Sequence, residues 1–207
     1  MNVCIIPARG GSKRLPRKNA MSIHGIPNIQ RVAKIAADTG LFSRIEVSTD
    51  DREIGELAKG YATIDWRPPE LCEDHVTDIE VIRYYAKRHN DADYICYLYP
   101  TAVLVTVDQI RRGYALIAHA KAKRLRCVHL VRRPVWYAHG KYWTDHYHDC
   151  GHFYWFTASE IDEPDVTVSG ATLGDVEMLI DIMDCQDVNI SEDMELARLK
   201  LEWRGEV

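Results

Sequence analysis

The residues best suited to chemistry stand near the start of the chain, in Ile5-Ile6-Pro7-Ala8-Arg9-Gly10-Gly11-Ser12-Lys13-Arg14-Leu15-Pro16-Arg17-Lys18-Asn19. A buried apolar run leads straight into two glycines, which let the backbone approach a ligand and turn N–H groups toward an anion. Ser12 adds a hydroxyl donor. Arg9, Lys13, Arg14, Arg17 and Lys18 crowd enough positive charge into a short loop to offset a triphosphate. Neither familiar phosphate loop is present: Ser12 precedes Lys13 where a Walker A loop needs Gly-Lys-Ser/Thr, and no GxGxxG occurs. A solvated basic turn is the plain alternative, but the coincidence of strand end, double glycine and cations favours a phosphate cradle.

Two other clusters invite a chemical reading. His146, His148, Cys150 and His152 recur at every second position, so on a strand they would share one face and could ligate zinc. Four neighbours along a flat strand splay apart, and tetrahedral closure needs a turn. Lys121, Lys123, Arg124 and Arg126 form a second basic run. It reads more simply as the charged end of a helix than as a nucleic-acid surface.

Hydrophobic periodicity supplies the elements that would hold the loop. Short apolar runs alternate with helical spacing, so an α/β sandwich is expected, a mainly parallel sheet with helices on both faces. Val3 to Ile6 reads as a buried strand. Pro27 suits the first turn of a helix in which Ile29, Val32, Ala33 and Ala36 share a face, with Gly40 as its stop. Ile45 and Val47 mark a strand, Ile54, Leu57 and Ala58 a helix, and Thr63–Trp66 an extended piece ahead of Pro68-Pro69. Ile79, Ile82, Tyr85 and Ala86 mark a helix, and Tyr94–Tyr99 a strand closed by Pro100. Val107, Ile110, Tyr114 and Ile117 follow as a helix, and Cys127–Val131 as a strand. From Val135 to Phe156 aromatics and histidines alternate as in strands. Ser191 is the expected N-cap of a last helix on which Leu196, Leu199 and Trp203 share a face. Ligands of such sheets bind beyond the carboxyl ends of the strands, which directs attention to the loops after Ile6, Val47 and Tyr99.

Bulk properties fit this plan. With 207 residues, 46% apolar and 28% charged, the sequence suits one soluble domain over 1–207. The net charge of -5 argues against nucleic acid or an anionic membrane as partner, while leaving room for a local basic pocket. Six cysteines without a CxxC pair are expected to be reduced thiols. The opening apolar run is too short for a signal peptide and no long apolar stretch occurs, so a cytoplasmic protein is expected.

The string IIPARGGSKRLPRKN closely resembles the N-terminal signature of the acylneuraminate cytidylyltransferases, the CMP-sialic acid synthetase family. STDDREIGELAK from Ser48, RPPELCEDH from Arg67, YLYPTA from Tyr97, DCGHFYWF from Asp149 and QDVNISEDMELAR from Gln186 resemble further family segments in the same order. YLYPTA and GHFYWF look most like the branch that activates pseudaminic acid. The resemblance implies a Rossmann-like nucleotidyltransferase sandwich that transfers CMP from CTP to the anomeric hydroxyl of a nine-carbon acidic sugar, with Mg²⁺ as cofactor. It implies that Arg9, Ser12 and Lys18 hold the phosphates, with Arg9 and Lys18 stabilising charge as pyrophosphate leaves, and that Ala8, Gly10 and Gly11 also bind the nucleotide. Asn19, Arg67, Thr77 and Tyr99 would line the nucleotide pocket, and Tyr99, Thr101, His152 and Tyr154 would face the sugar. Asp187 matches the first acid of the family's DxD metal motif, and Asn189 replaces the second, where its carbonyl oxygen can still coordinate, so Asp187 and Asn189 are the expected Mg²⁺ ligands.

His152 also replaces a usual glutamine, which favours a sugar-contacting imidazole over a zinc ligand. Between residues 132 and 157 the chain looks shorter than the family pattern, in the region that in relatives helps bind sugar and pair subunits. A homodimer is expected from the resemblance. A non-catalytic CTP-binding module on the same fold is the alternative that Asn189 and the shortened region would suit.

Overall fold

The computed structural model describes residues 1–137, 140–159, 161 and 176–206, and side chains outside 133–144. The first strand, β1 (Asn2–Pro7), is buried along nearly its whole length because both faces of the sheet are covered. Its alternate residues enter different cores. Cys4 and Ile6 pack with Ile29, Val32 and Ala36 of α1 (Asn28–Asp38) and with Ile110 and Ile117 of α4 (Val107–Ala120). Val3 and Ile5 pack against Val81, Ile82 and Tyr85 of α3 (Asp78–Arg88) on the opposite face. A strand between two apolar layers must read as a continuous hydrophobic run, and this one does.

A short hairpin, β2 (Ser22–Ile23) and β3 (Ile26–Pro27), precedes α1. Its turn puts His24 and Gly25 at positive φ, 52° and 75°, as a tight two-residue turn requires. The main sheet adds β4 (Arg44–Thr49), β5 (Thr63–Trp66), β6 (Tyr94–Leu98), β7 (Arg124–Tyr137), β8 (Gly140–Phe156) and β9 (Val176–Leu179). With α2 (Arg52–Ala58) after β4, the strand order is β5-β4-β1-β6-β8-β7-β9. β1, β4, β5 and β6 pair in parallel, β7 pairs in parallel with β9, and β8 runs antiparallel to both of its neighbours. The chain winds outward from β1 through β4 to β5, then returns to place β6 on the other side of β1. The loops after β1 and β6 therefore part, opening a crevice at the strands' carboxyl ends. The last helix, α5 (Ser191–Trp203), closes one end of that crevice. Its Met194, Ala197 and Leu201 pack with Leu15 of the basic loop and with Val103, Leu104 and Val188.

Several local expectations need correction. Pro27 caps α1 from outside its first turn. The basic run at 121–126 is split: Lys121 ends α4 in the left-handed region at φ 50°, whereas Arg124 is buried in β7. Helix α5 starts at Ser191 after Ile190, and Asp193 satisfies the N–H groups of Asn189 and Ile190. Its Leu196, Leu199 and Trp203 face outward, because the face that meets the protein is the one carrying Ala197. Beyond Val128 and Asp149, β7 and β8 pair with each other as a two-stranded ribbon out to Tyr137 and Gly140. Among the described residues no helix is long and apolar enough to cross a membrane.

Candidate active site

A cleft of about 400 Å³ opens at the β1–β6 parting. The loop after β1 contributes Arg9, Ser12, Lys13, Arg14, Lys18 and Asn19, and the end of β6 contributes Tyr99, Pro100 and Thr101. Arg67 and Leu71 enter from beyond β5, while Val76, Asp78 and Val81 come from the start of α3. Five cations thus face three carboxylates (Glu73, Asp74 and Asp78), leaving the cleft positive in an otherwise acidic protein.

The loop is held from behind. Asn28 at the start of α1 donates its side-chain amide to the Lys18 carbonyl at 2.9 Å, and the Ile29 N–H donates to the Asn19 carbonyl at 3.1 Å. Asn19 donates its own amide to the Arg9 carbonyl at 2.9 Å, and its buried Oδ1 has no protein partner. Lys18 Nζ donates to the Val188 carbonyl at 3.2 Å. Burial pushes the Lys18 ammonium below the ordinary lysine range, Asp187 and Asp78 push it back up, and Arg14 and Arg9 lower it. That balance puts Lys18 between the cationic loop and the Asp187 segment. Arg67 is fixed by Ser48, donating from Nε to the hydroxyl at 2.8 Å and from Nη2 to the carbonyl at 3.2 Å. Arg9 donates to the Cys72 carbonyl at 3.1 Å and pairs with Asp74 at 3.1 Å, and Lys13 also pairs with Asp74. An acidic side chain therefore sits on two of the loop's cations.

Not every residue of the loop turns toward the cleft. The Gly10 N–H donates to Asp50 at 2.7 Å instead of pointing at an open anion site. A Cβ on Gly10 would stand 2.6 Å from Asp51 Oδ2, so this glycine permits close packing of the loop on Asp51. Gly11 borders open space, and Ala8 is buried with its N–H donated to the Ser48 carbonyl. Arg17, at φ 61°, turns away to pair with Asp51 and Glu53. Thr77 caps α3 through Glu80, and its neighbour Asp78 is the residue that reaches the cleft. Asp78 accepts from the Tyr99 hydroxyl at 2.6 Å.

On the sugar-facing side Thr101 lines the cleft, but Tyr154 lies behind Tyr99, ring against ring at 5.9 Å, with its hydroxyl on Asp149 at 2.7 Å. His152 is fully buried away from the cleft. Its Nε2 accepts the Gln186 N–H at 3.3 Å and its Nδ1 has no partner. Burial, aided by Lys200, pushes this imidazole down to about 3. The reason is a local break in β8: Gly151 adopts φ 61° and the pairing with β7 shifts there, so His152 leaves the face that residues 146, 148 and 150 share. His146 and His148 are exposed because they lie on the two-stranded ribbon beyond Asp149, while Cys150 and His152 lie in the core.

Asp187 stands exposed at the rim, and Asn189 Nδ2 donates to its Oδ2 at 2.7 Å. The second acid near Asp187 is Asp149, which the sequence left without a role. Burial raises the Asp149 carboxyl against the opposing pull of the Gly151 N–H, the Tyr154 hydroxyl and Arg126, the charge of Asp187 adds to the rise, and its Oδ2 is buried with no protein partner. A partly desolvated carboxylate with an idle oxygen beside another carboxylate is a donor set that suits a hard divalent cation. Sequence spacing also overlooked Ser48 and Asp74, neither of which belongs to a recognisable catalytic pattern.

These features define a nucleotidyltransferase-type cleft. The family model described as Cytidylyltransferase matches residues 3–135, and the chain belongs to that family. It is similar to the pseudaminic acid cytidylyltransferase of Campylobacter jejuni, 28% identical over 96% of this chain and 95% of that one. N-acylneuraminate cytidylyltransferase A of Danio rerio is 36% identical over 55% of this chain and 26% of its own. Among solved structures, a CMP:2-keto-3-deoxy-manno-octonic acid synthetase complexed with CTP aligns over 98% of this chain and 99% of that one. The TM-score is 0.74 and the identity 14%, so the likeness is one of fold.

Proposed function

We propose that this enzyme transfers CMP from CTP to the anomeric hydroxyl of a nonulosonic acid of the pseudaminic class, releasing pyrophosphate. The observation that carries the reading is the cleft itself, where Arg9, Lys13, Arg14, Lys18 and Arg67 converge beyond the carboxyl ends of β1 and β5. End-to-end similarity to a protein named for pseudaminic acid supports the choice of sugar.

Catalysis in this reading is positioning and charge neutralisation. Arg9, Lys13, Arg14 and Lys18 bind the triphosphate. Lys18, held rigid by Asn28 and the Val188 carbonyl, stabilises negative charge on the departing pyrophosphate. Arg67, Asn19 and Asp78 border the nucleoside, and Tyr99 and Thr101 orient the acceptor sugar. Asp187 and Asp149 would hold Mg²⁺, whose charge supports the leaving phosphates when bound. The amide of Asn189, already donated to Asp187, orients that carboxylate. A homodimer belongs to the same reading, supported by the outward Leu196, Leu199 and Trp203 of α5.

A panel of nonulosonic and octulosonic acids, each incubated with CTP and Mg²⁺, tests this directly by pyrophosphate release. Turnover is expected with the pseudaminic type. Tight CTP binding without pyrophosphate from any acid would overturn the catalytic reading in favour of a nucleotide-binding module.

A further inference from the structure

A second cluster of chemically able groups lies apart from the cleft-lining residues. His129 of β7, Cys150 of β8 and Cys185 of the turn before α5 bring Nδ1 and two Sγ atoms within 4.8 Å of one another. The imidazole nitrogen is 3.5 Å from Cys185 Sγ and 3.8 Å from Cys150 Sγ. For a tetrahedral zinc with ordinary bond lengths the expected edges are about 3.6 Å from sulfur to nitrogen and about 3.8 Å from sulfur to sulfur. We propose that His129 Nδ1, Cys150 Sγ and Cys185 Sγ together bind one zinc ion, with water as the fourth ligand.

The hydrogen bonding of the cluster supports this. An imidazole nitrogen has one lone pair in the ring plane, and here two thiols stand around it. That lone pair can take only one of them, and the Cys150 carbonyl lies a long 3.7 Å from Cys185 Sγ, whereas one cation would engage all three side-chain atoms. Both cysteines are almost wholly buried. On metal binding each thiol gives up its proton to solvent, and the two thiolates cancel the charge of zinc. The resulting neutral centre is compatible with Lys200, whose buried ammonium donates to the Cys185 carbonyl at 2.6 Å and the Ile182 carbonyl at 2.8 Å. Soft sulfur ligands favour zinc over the hard Mg²⁺ expected at Asp187.

The position gives the site a use. Cys185 is two residues ahead of Asp187, and Cys150 follows Asp149 directly. A metal joining these cysteines would pin together the two backbone segments that carry the rim carboxylates. Zinc then acts as a structural tie whose loss loosens the catalytic corner without removing any group from it.

The test uses the whole chain, purified under reducing conditions without a histidine tag. Elemental analysis is expected to give about one zinc per chain. Exchange with Co²⁺ is expected to give a thiolate-to-cobalt charge-transfer band and the intense visible bands of a tetrahedral ion. Cys185→Ser and Cys150→Ser should each abolish those bands, and Cys72→Ser, whose sulfur lies elsewhere, should keep them. Because the cobalt spectrum is read on the wild-type chain, a variant that failed to fold would not decide the matter. A wild-type chain that takes up neither zinc nor cobalt overturns the proposal. So does a Cys150–Cys185 disulfide found by thiol counting in freshly isolated protein, or a cobalt spectrum that survives Cys185→Ser.

Discussion

The two ends of this molecule are built from different chemistry. Around β1, β4, β5 and β6 the functional groups are hard and ionic: cations from one contiguous loop and Arg67 from beyond β5, steadied by backbone carbonyls and by Ser48. Around β7, β8 and the turn before α5 they are aromatic rings, imidazoles and thiols drawn from separated segments, with carboxylates at their edge. The first region has the means to bind a polyphosphate. The second sets the position of the carboxylates that would meet it. The comparison teaches that charge neutralisation can be encoded locally, while alignment of acids at the rim depends on long-range packing.

The sharpest way to break the comparison is to remove one member from each side. Lys18→Ala and Asp187→Ala are each expected to lower kcat by about 10²–10³-fold, the usual cost of deleting one preorganised charge-stabilising group. Circular dichroism and thermal melting should be near wild type, since Asp187 is exposed and Asn28 still holds the loop backbone. If Lys18→Ala kept wild-type turnover, the ionic half would lose its catalytic role. Asp149→Asn sharpens the second side. It preserves shape but removes a charge, and a loss of about 10- to 100-fold in turnover is expected, partly recovered at high Mg²⁺. Full activity at low Mg²⁺ would show that Asp149 serves only the core.

How far each half could be read in advance follows from the same contrast. The phosphate loop was legible because strand, glycines and cations are adjacent in the chain, and periodicity located the strands and helices that carry it. Two of its details were hidden. Gly10 serves a packing contact with Asp51, and Arg17 pairs outward, because both depend on a loop more than thirty residues away. The C-terminal half was less legible for a physical reason. An alternating histidine string promises one shared face only while the strand stays regular, and Gly151 at φ 61° breaks that regularity. His129 and Cys185 meet Cys150 from positions 21 and 35 residues away, a distance no spacing motif records. On α5, two apolar stripes lie side by side, and only the partner surface decides that Ala197 faces inward and Leu199 outward.

The buried imidazole offers a measurement confined to the second region. In the folded protein His152 stays neutral down to about pH 3, whereas its ordinary value is 6.5. The unfolded chain therefore binds the extra proton as pH falls through 6.5, and acid favours unfolding. Stability contributed by neutral His152 is complete above that value and declines by about 1.4 kcal/mol per pH unit on the way toward 3. Urea melts between pH 7 and pH 5 should show the decline, and His152→Gln, whose side-chain carbonyl can still accept the Gln186 N–H, should lessen it by about one proton. An unchanged pH slope in that variant would mean the ring is reached by water and titrates normally.

The smallest expected effect concerns the anion that the first region already holds. Asp74 lies on Lys13 and Arg9, and chiefly Lys13 keeps its carboxyl below the ordinary range. An incoming triphosphate must displace it or share those cations. Exposed pairs of this kind are weak, so Asp74→Asn is expected to lower KM for CTP by about two- to threefold with kcat unchanged. The effect should shrink as salt is raised, because the competing charges are solvent-exposed and screened. A raised KM would carry the opposite lesson: Asp74 would then be holding Arg9 and Lys13 in the geometry that receives the phosphates, rather than competing with them.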